Sequence, residues 1–145
     1  MTTDRVRANT SRRINRRIDQ DMEERVWEYA QASREVITQR INELEREWDI
    51  ERWLETNASV AALSGIALGL AHDRRWFIVP GVVLPFLLLH AVQGWCPPLP
   101  VLRRLGVRSR EEIEREKYAL KVLRGDFRTP DGLTSVDAAL IAVGT

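Results

Sequence analysis

Residues 76–95, WFIVPGVVLPFLLLHAVQGW, decide the fold class of this chain. The run of 20 residues carries no formal charge when its histidine is neutral, and a tryptophan stands at each end. At about 1.5 Å per residue, such a helix spans roughly 30 Å, the thickness of the hydrocarbon core of a bilayer. Tryptophan is enriched at the membrane–water interface, so Trp76 and Trp95 are the expected anchors. The run predicts a transmembrane helix.

A second apolar run, residues 58–71 (ASVAALSGIALGLA), precedes the first. Trp53 and Leu54 lengthen it to about 28 Å of helix, with Trp53 as a third interfacial anchor. The loop 72–75 (HDRR) is short, so residues 53–95 predict an antiparallel transmembrane hairpin. A soluble helix pair is disfavoured because neither run has a polar face. Pro80 and Pro85 leave a kinked or re-entrant insertion open as an alternative.

The charges of the chain are confined to its two ends. The net charge is only +1, so no global field indicates a nucleic-acid partner, and residues 58–95 hold only Asp73, Arg74 and Arg75. The arginine-rich N-terminus has no apolar segment of the kind found in signal peptides, so we expect the hairpin itself to be the insertion signal. Arginines cluster on both flanks, as in 40–52 and 103–115, and the positive-inside rule then predicts a bacterial inner membrane protein with both termini cytoplasmic.

The N-terminal residues divide into two predicted segments. Residues 1–17 carry six arginines against one acid and predict a basic, flexible arm, either solvated or in contact with anionic lipid. Residues 18–52 predict one amphipathic helix, because apolar residues recur every three or four positions without proline or glycine. This stripe needs a partner, either the C-terminal arm of the same chain or another protein molecule. Its positions are Ile14, Ile18, Met22, Val26, Ala30, Ser33, Ile37, Ile41, Leu44 and Trp48.

Residues 96–125 predict a proline-rich turn followed by a capped cytoplasmic helix. Three prolines between 97 and 100 cannot continue the second span. Ser109 and Glu112 have the spacing of a capping box, which opens a helix over 110–124, and Gly125 is the expected C-terminal cap. Residues 109–124, like 18–52, could bind a protein partner. The tail, 126–145, carries a short apolar patch at 136–143. The predicted fold is all-α.

The first span places three small residues, Ala61, Gly65 and Gly69, on one helix face. Small residues at intervals of four let helix backbones approach closely in lipid. The face predicts either homo-oligomerisation or packing against the second span of the same hairpin.

Three polar or reactive side chains near the end of the second span are the remaining candidates for chemistry. Cys96 could be a low-pKa thiol beside Arg103 and Arg104, but a helix C-terminus disfavours thiolate, and a packing residue is the preferred interpretation. His90 and Gln93 share a face and could line an ion path or bond across the hairpin. We expect no metal site, cofactor or catalytic residues, because the chain has one cysteine and two histidines and lacks a phosphate-binding loop.

The order of these features resembles the DUF2892 family, the YgaP-like inner-membrane transmembrane domain. The resemblance covers about half of the chain and rests on a glycine-containing first span, a short loop, a second span, then Gly94-Trp95-Cys96-Pro97 and Leu105-Gly106-Val107. It implies a two-helix membrane domain that often self-associates. The chain has no room for the rhodanese domain found in some relatives, so sulfurtransferase activity is not implied.

The expected function is that of a small integral membrane protein without enzymatic activity. It would act as an anchor, scaffold or accessory subunit through oligomerisation and its cytoplasmic helices. Two alternatives are a persulfide relay through Cys96 and a small oligomeric pore lined by His90 and Gln93.

Overall fold

A computed structural model describes residues 4–126, and every regular element in this range is helical. The predicted all-α fold class and its apolar helical hairpin are confirmed. The predicted tail lies outside the described residues from position 127 onward. The helices are α1 (Arg5–Ala8), α2 (Arg12–Tyr29), α3 (Arg34–Arg46), α4 (Ile50–Ala71), α5 (Ile78–Gln93), α6 (Leu99–Arg104) and α7 (Arg110–Arg124), and a 3-10 helix (Arg74–Phe77) joins α4 to α5.

The amphipathic segment predicted as one helix over 18–52 is helical, but two breaks divide it among α2, α3 and α4. α3 begins after Ser33, whose hydroxyl accepts a hydrogen bond from the Val36 amide at 3.4 Å. α4 begins after Asp49, whose carboxylate accepts from the Arg52 amide at 2.8 Å. The side chains of serine and aspartate accept hydrogen bonds from the unpaired backbone amides of the first helical turn. Such a cap can begin a new helix even where no proline or glycine ends the previous one.

Residues 5–8 and 12–17 of the segment predicted as a basic, flexible arm over 1–17 are helical. The Asp4 carboxylate caps α1 by accepting from the Arg7 amide at 3.0 Å, and α2 already begins at Arg12. Val6 on α1 is buried in an apolar cluster with Ile50, Leu54, Cys96 and Leu99. The basic segment therefore has an apolar contact with the hairpin despite its charge.

The described chain forms two compact units. The hairpin unit comprises residues 4–11 and 48–107, and the charged unit comprises 12–47 and 108–126. In the hairpin unit, α4 packs along α5, and the apolar cluster that contains Val6 lies where α1, α4 and the segment 96–99 meet.

In the charged unit, α7 packs against α3 and α2. α3 is antiparallel to α7, since Thr38 near its start is 3.0 Å from Arg124 and Glu47 after its end is 2.9 Å from Arg108. The amphipathic stripe therefore packs on the C-terminal arm of the same chain, one of the two predicted alternatives. Ile37, Ile41, Leu44, Ile113 and Leu120 form the larger of its apolar clusters.

Candidate functional site

The small residues of the first span lie at the interface between the two helices of the hairpin. Gly65 and Gly69 are buried, and Ala61 is half-buried. A Cβ atom on Gly65 would lie 2.6 Å from Pro80 Cδ and 2.8 Å from Val79 Cβ, and one on Gly69 would lie 3.0 Å from the Phe77 ring. At Gly65 in particular the missing side chain lets α4 and α5 approach closely. The small-residue face is therefore used for packing within the hairpin.

The outward faces of both hairpin helices expose large apolar side chains. Leu63, Leu70 and Leu88 are 67%, 78% and 66% exposed, and Val60, Ile78 and Val92 on the same two helices are also exposed. Residues 34–71, which end with α4, and residues 74–93, which end with α5, are two helical stretches long and apolar enough to span a membrane, and most of their apolar surface lies outside the core of the protein.

The three predicted anchor residues are half-exposed at the two ends of the hairpin. Trp53 and Trp95 lie at the end of the hairpin opposite its loop, and Trp76 lies in the 3-10 helix at the loop. Trp53 also contacts Trp48 edge to face, with ring centroids 5.4 Å apart, and the Arg52 guanidinium lies 4.5 Å from the Trp48 ring centroid. Aromatic and cationic groups at one level are typical of a membrane interface.

A polar clamp that the sequence analysis did not predict closes the C-terminal end of α5. The Arg5 guanidinium donates to the Ala91 carbonyl at 2.8 Å, and Asn9 Nδ2 donates to the Gln93 carbonyl at 2.8 Å. Gly94, at φ +75°, ends the helix, and a Cβ there would lie 2.5 Å from Arg5 Cβ. The last carbonyls of a helix have no partner within it and bear partial negative charge, so a guanidinium is well suited to bind them.

His90 and Gln93 are not brought together into one polar surface. His90 is buried, and its Nδ1 atom has no hydrogen-bond partner among the described residues. Gln93 is exposed, and its backbone carbonyl belongs to the clamp with Asn9.

Cys96 is a buried member of the apolar cluster that contains Val6 and Leu99. Burial raises the pKa of its thiol above the ordinary value, against a smaller opposing effect of the Leu99 amide. A thiol is nucleophilic and binds metals as the thiolate, so both its burial and its pKa favour the packing interpretation. No group of three or more metal-ligating side chains occurs within residues 4–126.

The charged unit contains a buried ion cluster centred on Glu116 of α7. Its carboxylate is fully buried and accepts from Arg25 Nε at 3.1 Å, from Arg40 Nη2 at 2.9 Å and from Arg108 Nη1. Arg108 also donates to Glu47, with 2.9 Å between Nε and Oε1. The cluster therefore links α2, α3 and α7 through one carboxylate.

The electrostatic balance in this cluster keeps Glu116 ionised. Burial opposes its ionisation, but the nearby guanidinium groups outweigh this effect and hold the pKa of Glu116 below its ordinary value. The burial of Glu116 was not predicted from the sequence. The sequence does contain a signal for its burial: Glu116 lies three residues after Ile113 and four before Leu120, and therefore on the same face of the helix.

No protein-family model, curated protein or solved structure matches this chain. The resemblance to the DUF2892 family thus stays a prediction.

Proposed function

We propose that the chain is an integral membrane anchor whose hairpin crosses the bilayer and whose flanking helices act as a cytoplasmic scaffold or accessory subunit. The observation that carries this proposal is the outward exposure of large apolar side chains along both α4 and α5, as at Leu63, Leu70 and Leu88. In a soluble protein the residues of such helices would be buried in the core.

The energy of leaving this surface in water supports the same function. Burial of one leucine side chain contributes about 1.5–3 kcal/mol, and ten or more large apolar side chains of the hairpin are exposed. A contiguous apolar surface of this kind is rare on soluble monomers. The acyl chains of a bilayer would cover this surface on every side, whereas a single docked helix could not.

The orientation follows from the cations of the hairpin unit. Two arginines lie at the loop, in the 3-10 helix Arg74–Phe77, whereas Arg5, Arg7, Arg52, Arg103 and Arg104 all lie toward the opposite end. The positive-inside rule then makes the loop extracytoplasmic and both flanks cytoplasmic. A bacterial inner membrane is the location that we propose.

The charged unit is the part of the chain that we assign to partner binding. Its apolar stripe is used internally, between α3, α2 and α7, so a partner would contact the outer surfaces. Trp27 on α2 and Tyr118 on α7 are 54% and 47% exposed. Aromatic side chains with polar tips are enriched at protein interfaces. We assign no catalytic step to the chain.

The test is whether the native protein remains in membranes washed with alkaline carbonate, which removes peripheral proteins. Arginine in place of both Leu63 and Leu84 should release the protein, since a cation near the middle of a span costs about 2.5–3.5 kcal/mol on insertion scales. Leu105→Arg, at an exposed leucine outside the spans, is the matched control and should be retained. Release of the unaltered protein into the supernatant would refute the proposal.

A further inference from the structure

α6, the short helix that follows the second span, exposes large apolar side chains. Val101 and Leu105 are 58% and 75% exposed and lie four residues apart, and therefore on one side of the helix. Leu99 and Arg103, also four apart, are 0% and 1% exposed. Two residues correspond to about 200° of helix rotation, so these two pairs lie on opposite sides. α6 thus has a face buried in the hairpin unit and an opposite face of exposed apolar side chains.

α6 lies at the level of two of the tryptophan anchors. Leu99 packs in the apolar cluster that contains Leu54 and Cys96. In the sequence, these two residues directly follow Trp53 and Trp95, the anchors at the end of the hairpin opposite its loop. A helix of six residues is only about 9 Å long, so the whole of α6 stays within about 10 Å of this level. Its exposed apolar face is therefore next to the headgroups of the membrane that the hairpin would cross.

The two adjacent arginines of α6 have different surroundings. Arg103 is buried and donates from Nε to Thr10 Oγ1 at 3.1 Å and from Nη1 to the Val107 carbonyl at 3.2 Å. It therefore fixes the rotation of α6 against the rest of the hairpin unit. Arg104 is exposed, and no hydrogen bond or ion pair joins it to any residue between 4 and 126. Residues 94–107 contain these two arginines and no acid, so Arg104 is a cation without a nearby counter-charge in its own segment.

We propose that α6 lies in the cytoplasmic headgroup layer and binds an anionic phospholipid. Val101 and Leu105 contact the upper part of the acyl chains, and the Arg104 guanidinium binds the lipid phosphate. Apolar side chains bordered by a cation are the pattern with which helices bind the boundary between headgroups and acyl chains. Arginine binds phosphate with two parallel hydrogen bonds, and the negative surface potential of anionic lipid attracts it.

Position and charge favour lipid over a protein as the occupant of this face. The apolar surface of α5 is exposed as far as Val92 and Trp95, and α6 begins only four residues later. The bilayer that covers the hairpin is therefore already present at α6. A protein partner would have to displace lipid there and supply an acid for Arg104. This inference rests on the proposed membrane insertion and adds a lipid contact outside the two spans.

Fluorescence quenching in vesicles tests whether the exposed face is inserted. In a Cys96→Ala background, which keeps the buried cluster apolar, Leu105→Cys carries an environment-sensitive label. Val36→Cys, at a valine of α3 that is 46% exposed, is the matched control in the charged unit. Acrylamide on both sides of the vesicles quenches from water, and brominated acyl chains quench from the lipid. We expect acrylamide to quench the label at position 105 at least about threefold less than the label at position 36, and brominated lipid to quench only the former.

A second arm tests the phosphate contact with vesicles of phosphatidylcholine alone and of phosphatidylcholine mixed with phosphatidylglycerol. In the mixed vesicles, Arg104→Ala should raise the ratio of water-exposed to inserted label at position 105 about fivefold, the contribution of one arginine near an anionic surface. In phosphatidylcholine alone, it should leave the ratio unchanged. Arg74→Ala removes the same charge at the loop end of the hairpin and should change the ratio in neither lipid.

The outcomes separate this inference from the membrane anchor itself. Equal acrylamide quenching at positions 105 and 36, in protein that stays in carbonate-washed vesicles, would overturn the inference and leave the anchor intact. Protection of position 105 in native membranes but not in vesicles would indicate a protein partner and would also overturn it. Equal insertion of the Arg104→Ala variant in both lipids would refute the phosphate contact. Release of the unaltered protein by carbonate would refute the anchor.

Discussion

Replacing Glu116 with alanine removes the acceptor that Arg25, Arg40 and Arg108 share. The carboxylate is fully buried, and the Arg108 side chain is only 8% exposed, so this guanidinium cannot turn to water without a rearrangement of α7. Removing one member of a buried ion cluster costs about 3–5 kcal/mol, because the remaining charges stay desolvated. In the Glu116→Ala variant Arg108 still pairs with Glu47, and Arg40 still pairs with Glu43. The expected loss in stability is therefore near the lower end of this range, about 3 kcal/mol.

Hydrogen exchange of the full-length protein in lipid vesicles measures this loss by region. A local destabilisation of about 3 kcal/mol should speed the exchange of amides in α2, α3 and α7 about a hundredfold. Amides of α4 and α5 should not change. Glu114→Ala on the same helix is the control, because Glu114 is 35% exposed and its ion pair is with Lys117, a neighbour on the same helix. Its expected cost is below about 1 kcal/mol.

The comparison between the two variants decides whether the cluster stabilises the charged unit. If Glu116→Ala exchanges no faster than Glu114→Ala, the buried carboxylate does not hold α2, α3 and α7 together. Glu116→Gln keeps an acceptor without the charge and should lie between the alanine variant and the unaltered protein.

Three further predictions follow from other parts of the structure. The guanidinium groups lower the pKa of Glu116 more than burial raises it, so ionised Glu116 stabilises the folded charged unit. This stabilisation is complete above about pH 4.3, the pKa of glutamate in the unfolded chain, and is lost as pH falls through the lower pKa of the folded state. Amide exchange in the Glu116→Gln variant should not show this loss. Maleimide should label Cys96 at least tenfold slower in the folded than in the denatured protein, and equal rates would favour the persulfide relay. Gly65→Leu should open the hairpin in mild detergent, measured by energy transfer between labelled helix ends, whereas Gly81→Leu should not.

The hairpin and the C-terminal helix could be predicted because their signals are local. Long uncharged runs with tryptophans at their ends indicate membrane-length helices wherever they occur. The capping box of Ser109 and Glu112 is present, with 2.9 Å between the Ser109 amide and the Glu112 carboxylate. Gly125 ends α7 at φ +88°, as a C-terminal glycine should.

The breaks of the N-terminal segment were missed because their signals are ambiguous. Ser33 and Asp49 act as helix caps, but both residue types also occur inside helices. In the sequence, the three- and four-residue spacing of the stripe continues through both breaks. Periodicity therefore indicated helix correctly and could not indicate where one helix ends.

The partners of the candidate residues depend on tertiary contacts that the sequence does not encode locally. The Ala61–Gly65–Gly69 face suits either a second molecule or the second span, and only the position of Pro80 against Gly65 decides between them. Likewise, Glu116 is one acid among many in α7 until Arg25 and Arg40 from two other helices contact it. The Arg5 clamp joins residues 86 positions apart.

The most direct test of the membrane hairpin is the side of the membrane on which its loop lies. Asp73→Cys, in a Cys96→Ser background, is exposed to a membrane-impermeant maleimide on intact bacterial spheroplasts. A cysteine at Asn42 in the charged unit serves as the cytoplasmic control. We expect the loop cysteine to be labelled from outside and the cysteine at position 42 to be labelled only after permeabilisation. Labelling of the loop cysteine only after permeabilisation would show that the hairpin does not cross the bilayer.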